Sequence, residues 1–303
     1  MYKYIGYGQK IESDSVFPQF VPADFEDEAD IIIHHYVEDE IKKELTDEYQ
    51  LSLKDGDIYY KNQVGYFESR QGREIFYEEH PGQDENEAKE FVMGNTFALL
   101  FYERGMNVIH GAAVRFGDKT IIISGDSGAG KSTTTSMLIR EGARLITDDQ
   151  SIVFLENGEV KLLPGYPAQK LCEDAAGRNS YDVKNLIKID EQKNKYAIPR
   201  QENFFGEISK VDALIYLRKH AEGETIVASQ VLGAEKANVL TKNLFLKPFF
   251  TQTQMMPQSM MLQCLQIAGK IDIFEISRKK NVDTENEIKA CIGKMLENEE
   301  TFL

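Results

Sequence analysis

Short β-branched and aromatic runs separated by glycine-bearing turns dominate the first 80 residues. Asp30 to Val37, Tyr49 to Leu53, Asp57 to Tyr60, Gln63 to Ser69 and Glu74 to Glu78 read as strands, with turns at Asp55-Gly56 and Gln71-Gly72. Glu38 to Leu45 fits either a short helix or a charged strand extension. The pattern predicts a small antiparallel sheet docked on the rest. Pro81 to Ala88 is a polar linker leading toward a helix. From Glu90 to Glu103 apolar residues occupy most of the helical circumference, so this helix should be buried between two regions.

The pattern then changes. Val108 to Phe116 and Lys119 to Ser124 are strand-like runs joined at Gly117-Asp118, a tight hairpin signal. A helix follows from Ser132 to Glu141, ends near Gly142, and leads into a strand from Ala143 to Thr147. A right-handed strand–helix–strand crossover would make that strand parallel to the Thr120–Ser124 strand and set their carboxyl ends side by side. Ser151 to Leu155 and Glu159 to Leu163 form a second hairpin around Asn157-Gly158. Beyond it, Lys184 to Glu207 is highly charged without a clean period and is a candidate substrate-covering segment. Val211 to Leu217 and Ile271 to Ile276 read as strands, and Ala234 to Leu246, Pro257 to Ile267 and Asp283 to Asn298 as helices. The expected division is residues 1–88 as a β-rich acidic region and 89–303 as the main domain.

Candidate chemistry concentrates where the first hairpin meets its helix. Gly125-Asp126-Ser127-Gly128-Ala129-Gly130-Lys131-Ser132 fits G-x-x-x-x-G-K-[ST], a phosphate-cradling loop continued by Thr133. Gly125, Gly128 and Gly130 lack a Cβ, so the backbone can coil with its N–H groups facing one phosphate. Lys131 adds positive charge, Ser132 offers a hydroxyl to Mg²⁺, and the helix that follows turns the positive end of its dipole to the anion. With Phe116 facing Lys119, antiparallel register sets His110 opposite Gly125, at the loop mouth. Asp148-Asp149 close the next strand. Neighbouring strand residues point to opposite sides, so one carboxylate can hold Mg²⁺ and the other can take a proton from an attacking hydroxyl. Tyr166 and Lys170, in Pro164 to Leu171, can return close to the Asp pair and touch substrate; a rigid loop with an exposed lysine is the plainer reading. Arg218 and Arg278 end two strands, where a guanidinium can neutralise developing charge or simply face solvent.

Charge and composition narrow the classes. The 303 residues carry a formal net charge of −15, and residues 1–100 hold 23 Asp/Glu against 9 Lys/Arg. Such a chain has no basic patch for nucleic acid. Its acidic half is either a solvated face or one that attracts a basic or neutral peptide. No apolar run reaches the ~20 residues of a membrane span and no signal peptide is evident, so a cytoplasmic protein is expected. Cys172, Cys264 and Cys291 are scattered and expected to be reduced thiols. His34-His35 face opposite ways and lack suitably spaced partners for a metal. The methionines at 255, 256, 260 and 261 read as core filler or as an adaptable binding surface.

His110-Gly111, the GDSGAGKST loop, and Asp148-Asp149 only 17 residues beyond Lys131 resemble the catalytic core of the HPr kinase/phosphorylase family. The resemblance covers roughly residues 90 to 280. It implies an α/β (α+β) fold with a phosphoenolpyruvate-carboxykinase-type core and mixed sheet, joined to a small, mostly antiparallel N-terminal β region. By matching position it implies Ser132 and Asp148 near Mg²⁺, Asp149 as proton acceptor, and His110 beside the transferring phosphate of ATP. The chain is most similar to short HPr-kinase-like proteins of peptide natural-product pathways, including lasso-peptide tailoring kinases, which phosphorylate a precursor-peptide serine. It lacks the Glu-x-Arg-Gly-x-Gly-type segment of the bifunctional enzymes, so the resemblance does not extend to phosphorylase activity. The expected reaction is transfer of phosphate to a serine-type hydroxyl on a peptide or small protein. A free small-molecule acceptor, a non-catalytic nucleotide sensor and assembly into a homo-oligomer remain open at this level.

Overall fold

The computed structural model describes residues 1–47, 50–54, 56–173, 177, 186–190, 195–252 and 257–296. The chain begins with a hairpin, β1 (Tyr2–Gly6) and β2 (Gln9–Ser13), whose turn residues Tyr7 and Gly8 have φ of +54° and +68°. Positive φ at both turn positions matches the twist of the flanking strands. Strands β3 (Val21–Pro22), β4 (Ile31–His34), β5 (Gln50–Lys54), β6 (Asp57–Lys61), β7 (Gly65–Arg70) and β8 (Glu74–Glu79) complete an eight-stranded sheet ordered β3-β1-β2-β4-β8-β7-β6-β5. Its pairings are antiparallel except that β4 runs parallel to both neighbours, β2 and β8. The segment after Glu38 is helix α1 (Asp39–Glu44) rather than a strand extension.

The buried helix starts earlier than its apolar pattern implied and is interrupted. Asp84 caps α2 (Glu85–Phe91) by accepting from the Asn86 N–H, and Val92–Thr96 form a π-turn before α3 (Phe97–Glu103). A π-turn diverts backbone carbonyls from the helical ladder, and here two are used. The Met93 carbonyl accepts from the Tyr7 hydroxyl at 3.0 Å, and the Gly94 carbonyl from Gln150 Nε2 at 2.7 Å. Phe97 to Phe101 are fully buried, because α3 packs on β7 and β8 and also on the next sheet. Arg104 ties the helix end to the first sheet by donating to the Gly72 carbonyl, Gln9 Oε1 and the Asp30 carbonyl.

That next sheet contains β9 (Asn107–Phe116), β10 (Lys119–Gly125), β11 (Arg144–Thr147), β12 (Gln150–Glu156) and β13 (Glu159–Leu162). A separate three-stranded sheet is built from β14 (Ala168–Cys172), β15 (Ile187–Asp190) and β16 (Lys195–Pro199). Strands β17 (Ser209–Lys210), β18 (Ala213–His220), β19 (Ile226–Gln230) and β20 (Asp272–Lys279) complete the central order β17-β13-β12-β9-β10-β18-β20-β19. The β9–β10 hairpin has the expected register, Phe116 opposite Lys119 through Gly111 opposite Ser124. The crossover differs from expectation. Strand β11 pairs with β9, so β9 lies between it and β10, and the two run in the same direction without touching. The reason is local: the short hairpin occupies one edge of β10 and β18 occupies the other.

The central sheet is covered on both faces by helices α4 (Lys131–Arg140), α5 (Glu235–Lys242), α6 (Lys247–Gln252), α7 (Gln258–Ala268) and α8 (Glu285–Leu296). Strand alternation sorts the contacts. Ile122 faces one cluster with Leu99, Met260 and Cys264; Ile121 and Ile123 face another with Met137, Leu138, Ile288 and Ile292. The first cluster also contains Tyr4, Ile31 and Phe67, so apolar packing is continuous across position 88. Of the methionine patch, Met260 is core and Met261 is exposed, while 255 and 256 lie outside the described residues, as does part of the charged segment 184–207. Among the described residues no helix is long and apolar enough to cross a membrane, and no group of three His, Cys, Asp or Glu side chains is arranged for a metal.

Two measurements check this packing. A Cβ on Gly111 would lie 2.5 Å from the Ile123 carbonyl oxygen, a backbone atom that cannot swing aside. Gly111→Ala should therefore lower the unfolding free energy by roughly 1–3 kcal/mol in urea titration; unchanged stability would refute the close approach. Glu103 accepts from Ser69 Oγ and the Gly72 N–H, yet burial pushes its carboxyl up to about 7. The folded chain then keeps a proton that the unfolded chain releases, so stability should decline as pH rises from about 4.5 to about 7. In Glu103→Gln that part of the decline should vanish; parallel pH–stability curves for the two proteins would contradict it.

Candidate functional site

Strands β10, β18 and β20 run parallel, and their carboxyl ends meet at the glycine loop. Crevices of this kind are where open α/β sheets hold ligands. The β-branched run of β10 delivers Gly125, whose missing Cβ is required because it would lie 2.2 Å from the Leu217 carbonyl oxygen. Asp126 N–H bonds to that same carbonyl at 3.2 Å and Ala129 N–H bonds back to Asp126, so the chain turns tightly. Gly128 and Gly130 sit at φ of +69° and +111°, conformations that cost other residues about 1 kcal/mol or more. Helix α4 then starts at Lys131, and the N–H groups of its first turn have no intrahelical acceptor.

Charged groups surround this hollow. The Lys131 ammonium reaches back across the loop to the Gly125 carbonyl at 2.8 Å. Arg278, at the end of β20, donates Nε to the Ala129 carbonyl at 2.8 Å and so braces the loop. Lys219 Nζ lies 3.0 Å from where a Cβ on Gly128 would sit; nothing in the local pattern of β18 marks it. Arg218, the neighbour that sequence singled out, instead pairs with Glu275 at 3.3 Å and is 46% exposed. Tyr216 donates its hydroxyl to Asp126 at 3.0 Å, and burial with that carboxylate pushes the phenol up to about 12.

The two aspartates occupy a kink between β11 and β12. Asp149 has φ of +63°, a left-handed conformation uncommon outside glycine, and its carbonyl accepts from Gly111 N–H at 3.0 Å. The two carboxylates have different partners. Asp149 Oδ1 lies 3.2 Å from His110 Nε2. Asp148 Oδ2 accepts the Lys170 N–H at 2.8 Å. The His110–Asp149 pair is 45% and 34% exposed, so its contribution to stability is at most about 1 kcal/mol.

Strand β14 connects the remaining parts. Gln169 is fully buried; its Oε1 accepts from Ser136 Oγ at 3.1 Å and from Arg200, and its Nε2 donates to the Ser132 carbonyl at 3.4 Å. Its neighbour Lys170 holds Asp148, so adjacent residues of one strand touch both Ser132 and Asp148. Lys170 Nζ pairs with Glu90 of α2 at 2.9 Å. Burial works against its charge, but Glu90 and Asp149 outweigh this and hold the ammonium above its ordinary range. Tyr166 sits elsewhere than at a substrate surface. It is 7% exposed, packed edge-on to Tyr7 and Phe20 at 5.7 and 5.9 Å. Burial, then Glu90, Asp148 and Asp149, push its phenol well up, so its link to the site is through packing. Glu90, Gln169, Lys219 and the π-turn escaped the sequence reading because none lies in a motif.

The donor set suits a magnesium-bound nucleotide: glycine-shaped backbone, first-turn amides, an ammonium, a hydroxyl and a carboxylate on one strand's two neighbours. No family model matches the chain. Over 118 residues it is 30% identical to HPr kinase/phosphorylase of Streptococcus salivarius and, to the same extent, of Streptococcus equinus. The matched stretch is 38% of this chain and 33% of each relative, so the chain spans about a third of the length of the curated relatives it matches. A solved structure, the Hpr(Ser) kinase/phosphatase from Coxiella burnetii, aligns at 13% identity over 64% of this chain and 99% of that one, with a TM-score of 0.34. By sequence, this chain is thus similar in part to HPr kinase/phosphorylase.

Proposed function

We propose that the chain is an ATP- and Mg²⁺-dependent kinase that moves the γ-phosphoryl group to a serine-type hydroxyl on a peptide or small protein. The observation that carries this reading is the His110–Asp149 pair at the mouth of the glycine loop. A loop that only bound nucleotide would not require a carboxylate aimed at the place where a hydroxyl would lose its proton. Gly125 to Thr133 act here as a P-loop whose amides and Lys131 hold the β- and γ-phosphates. Mg²⁺, held by the Ser132 hydroxyl and Asp148, would neutralise charge on the phosphate oxygens. The acceptor oxygen forms a bond to the γ-phosphorus as the bond to the β-phosphate oxygen breaks, and ADP leaves. Asp149 takes the hydroxyl proton, while His110 orients that carboxylate and faces the transferring group. Arg278 keeps the loop in shape, and Lys219 supplies positive charge nearby.

Partial sequence similarity to HPr kinase/phosphorylase supports the reaction class. Resemblance to the lasso-peptide tailoring kinases makes a precursor peptide the first acceptor to try and the cytoplasm the expected setting. The direct test offers γ-labelled ATP and Mg²⁺ with serine peptides, an HPr-type carrier protein and free serine. Label should appear in one acceptor. Nucleotide binding without transfer to any would reject the kinase assignment in favour of a nucleotide sensor.

Two variants separate the roles. Asp149→Asn should keep nucleotide affinity while transfer falls by about 10²–10⁴-fold, the usual worth of a positioned base; wild-type turnover would remove Asp149 from that role. Lys131→Ala should weaken nucleotide binding by about tenfold or more, as a lost charge-assisted phosphate contact does. Wild-type nucleotide affinity in that protein would undo the loop assignment.

A further inference from the structure

Sheet order sorts the surroundings of the glycine loop into two sides. The order β12-β9-β10-β18-β20 puts His110 and the kink that carries Asp149 on one side of β10, and β18 and β20 on the other. Next to His110 lies a cleft of ≈ 590 Å³ that Lys242, Phe245 and Lys247 help to line. Across the loop, Leu217 and Ile276 are register partners on β18 and β20, and both belong to the apolar cluster that α4 covers. Two residues farther on, Lys219 and Arg278 are again partners, so strand alternation turns them to that same face. They emerge where the apolar cluster ends and the loop lies. Lys219 Nζ stands against Gly128, 3.0 Å from the place of a Cβ. The Arg278 guanidinium lies over Gly130, with Nε bonded to the Ala129 carbonyl and Nη2 3.7 Å from the place of a Cβ.

Neither charge is neutralised by a carboxylate. Among the described residues the Lys219 side chain has no hydrogen-bond or ion-pair partner, and that of Arg278 has the Ala129 carbonyl alone. Arg218, one residue before Lys219, points to the opposite face, where it pairs with Glu275 and where Tyr216 holds Asp126. Ile226, level with Arg278 on β19, is apolar. Like charges directly across neighbouring strands repel, and an anion placed against both removes that repulsion.

Resting on the kinase reading, we infer that Lys219, with Arg278 beside it, forms the leaving-group end of the site and holds the diphosphate of the departing ADP. Direction decides this. In-line transfer sets the acceptor and the leaving ADP on opposite sides of the γ-phosphorus. Asp149 and His110 mark the acceptor side, so the diphosphate runs the other way, toward β18 and β20. Neighbouring strands are about 4.8 Å apart, which puts β18 about 10 Å from β9 and lets the two groups act on different phosphates. As the bond to the β-phosphate oxygen breaks, negative charge moves onto ADP, and fixed cations at that end stabilise it.

The test is titration calorimetry on the full chain with Mg²⁺ and either ADP or a non-hydrolysable ATP analogue. Lys219→Ala should weaken both nucleotides by the same factor, about tenfold, as loss of one charge-assisted phosphate contact does. The loss should shrink as salt rises, and Lys219→Arg should restore most of the affinity. In urea titration the ligand-free Lys219→Ala should be no less stable than the wild type, because its side chain has no protein partner to lose. Unchanged affinity for ADP, a loss confined to the ATP analogue, or a destabilised Lys219→Ala would overturn the inference. Wild-type protein titrated alongside tells the two failures apart. A chain that binds neither nucleotide refutes the kinase reading, and one that binds both regardless of Lys219 refutes only the leaving-group assignment.

Discussion

The antiparallel pairing of β9 with β10 is the constraint on which the rest of the site depends. It ends at Ser124 opposite Gly111, and everything chemically interesting lies just beyond that point. On one side the chain runs out of the sheet into the glycine loop. On the other, β9 continues with a free edge that residues 243–245 occupy. Along its opposite edge β9 holds β11 and β12, and the kink between them presents Asp148 and Asp149. One strand therefore spaces loop, histidine, aspartates and the cleft that residues 242–247 help to line. A side chain at Gly111 would push β10 away at the critical place, since the Ile123 carbonyl has no room to retreat.

The N-terminal sheet reaches this site through buried polar contacts. Tyr7 donates to the π-turn carbonyl of Met93 and lies 3.4 Å from Gln150 Oε1, while Gln150 donates to Gly94. Glu90 pairs with Lys170, whose main chain holds Asp148. Buried polar groups of this kind are costly when a partner is lost, so the network couples the fold of the first 80 residues to the placement of the aspartates. Acidic composition there says nothing of this, because the coupling side chains are a tyrosine, a glutamine and one ion pair.

Legibility followed distance along the chain. The hairpin Val108 to Ser124, the loop and helix α4 were readable because turn chemistry, β-branched runs and glycine spacing act over a few residues. The same register argument brought His110 to a cleft shared with Gly125, although the pairing ends one residue short of them, at Gly111 opposite Ser124. The crossover was misjudged at β11, since strand order depends on which edges are already taken. The return of the Pro164–Leu171 segment toward the aspartates made Tyr166 a candidate substrate contact, yet Tyr7 and Phe20 enclose it from over 140 residues away.

By itself, then, the sequence determined the glycine-rich loop, its flanking strand and helix, the paired aspartates and the strand-rich beginning, because each is set by local backbone preference and short-range register. Only the tertiary structure decided that Arg278 braces the loop while Arg218 pairs with Glu275, that β14 joins Ser132 to Asp148, and that Lys242 and Lys247 line a cleft beside His110. Those placements join residues tens to more than a hundred positions apart, and they follow from which sheet edges and faces stay open once the local elements have packed.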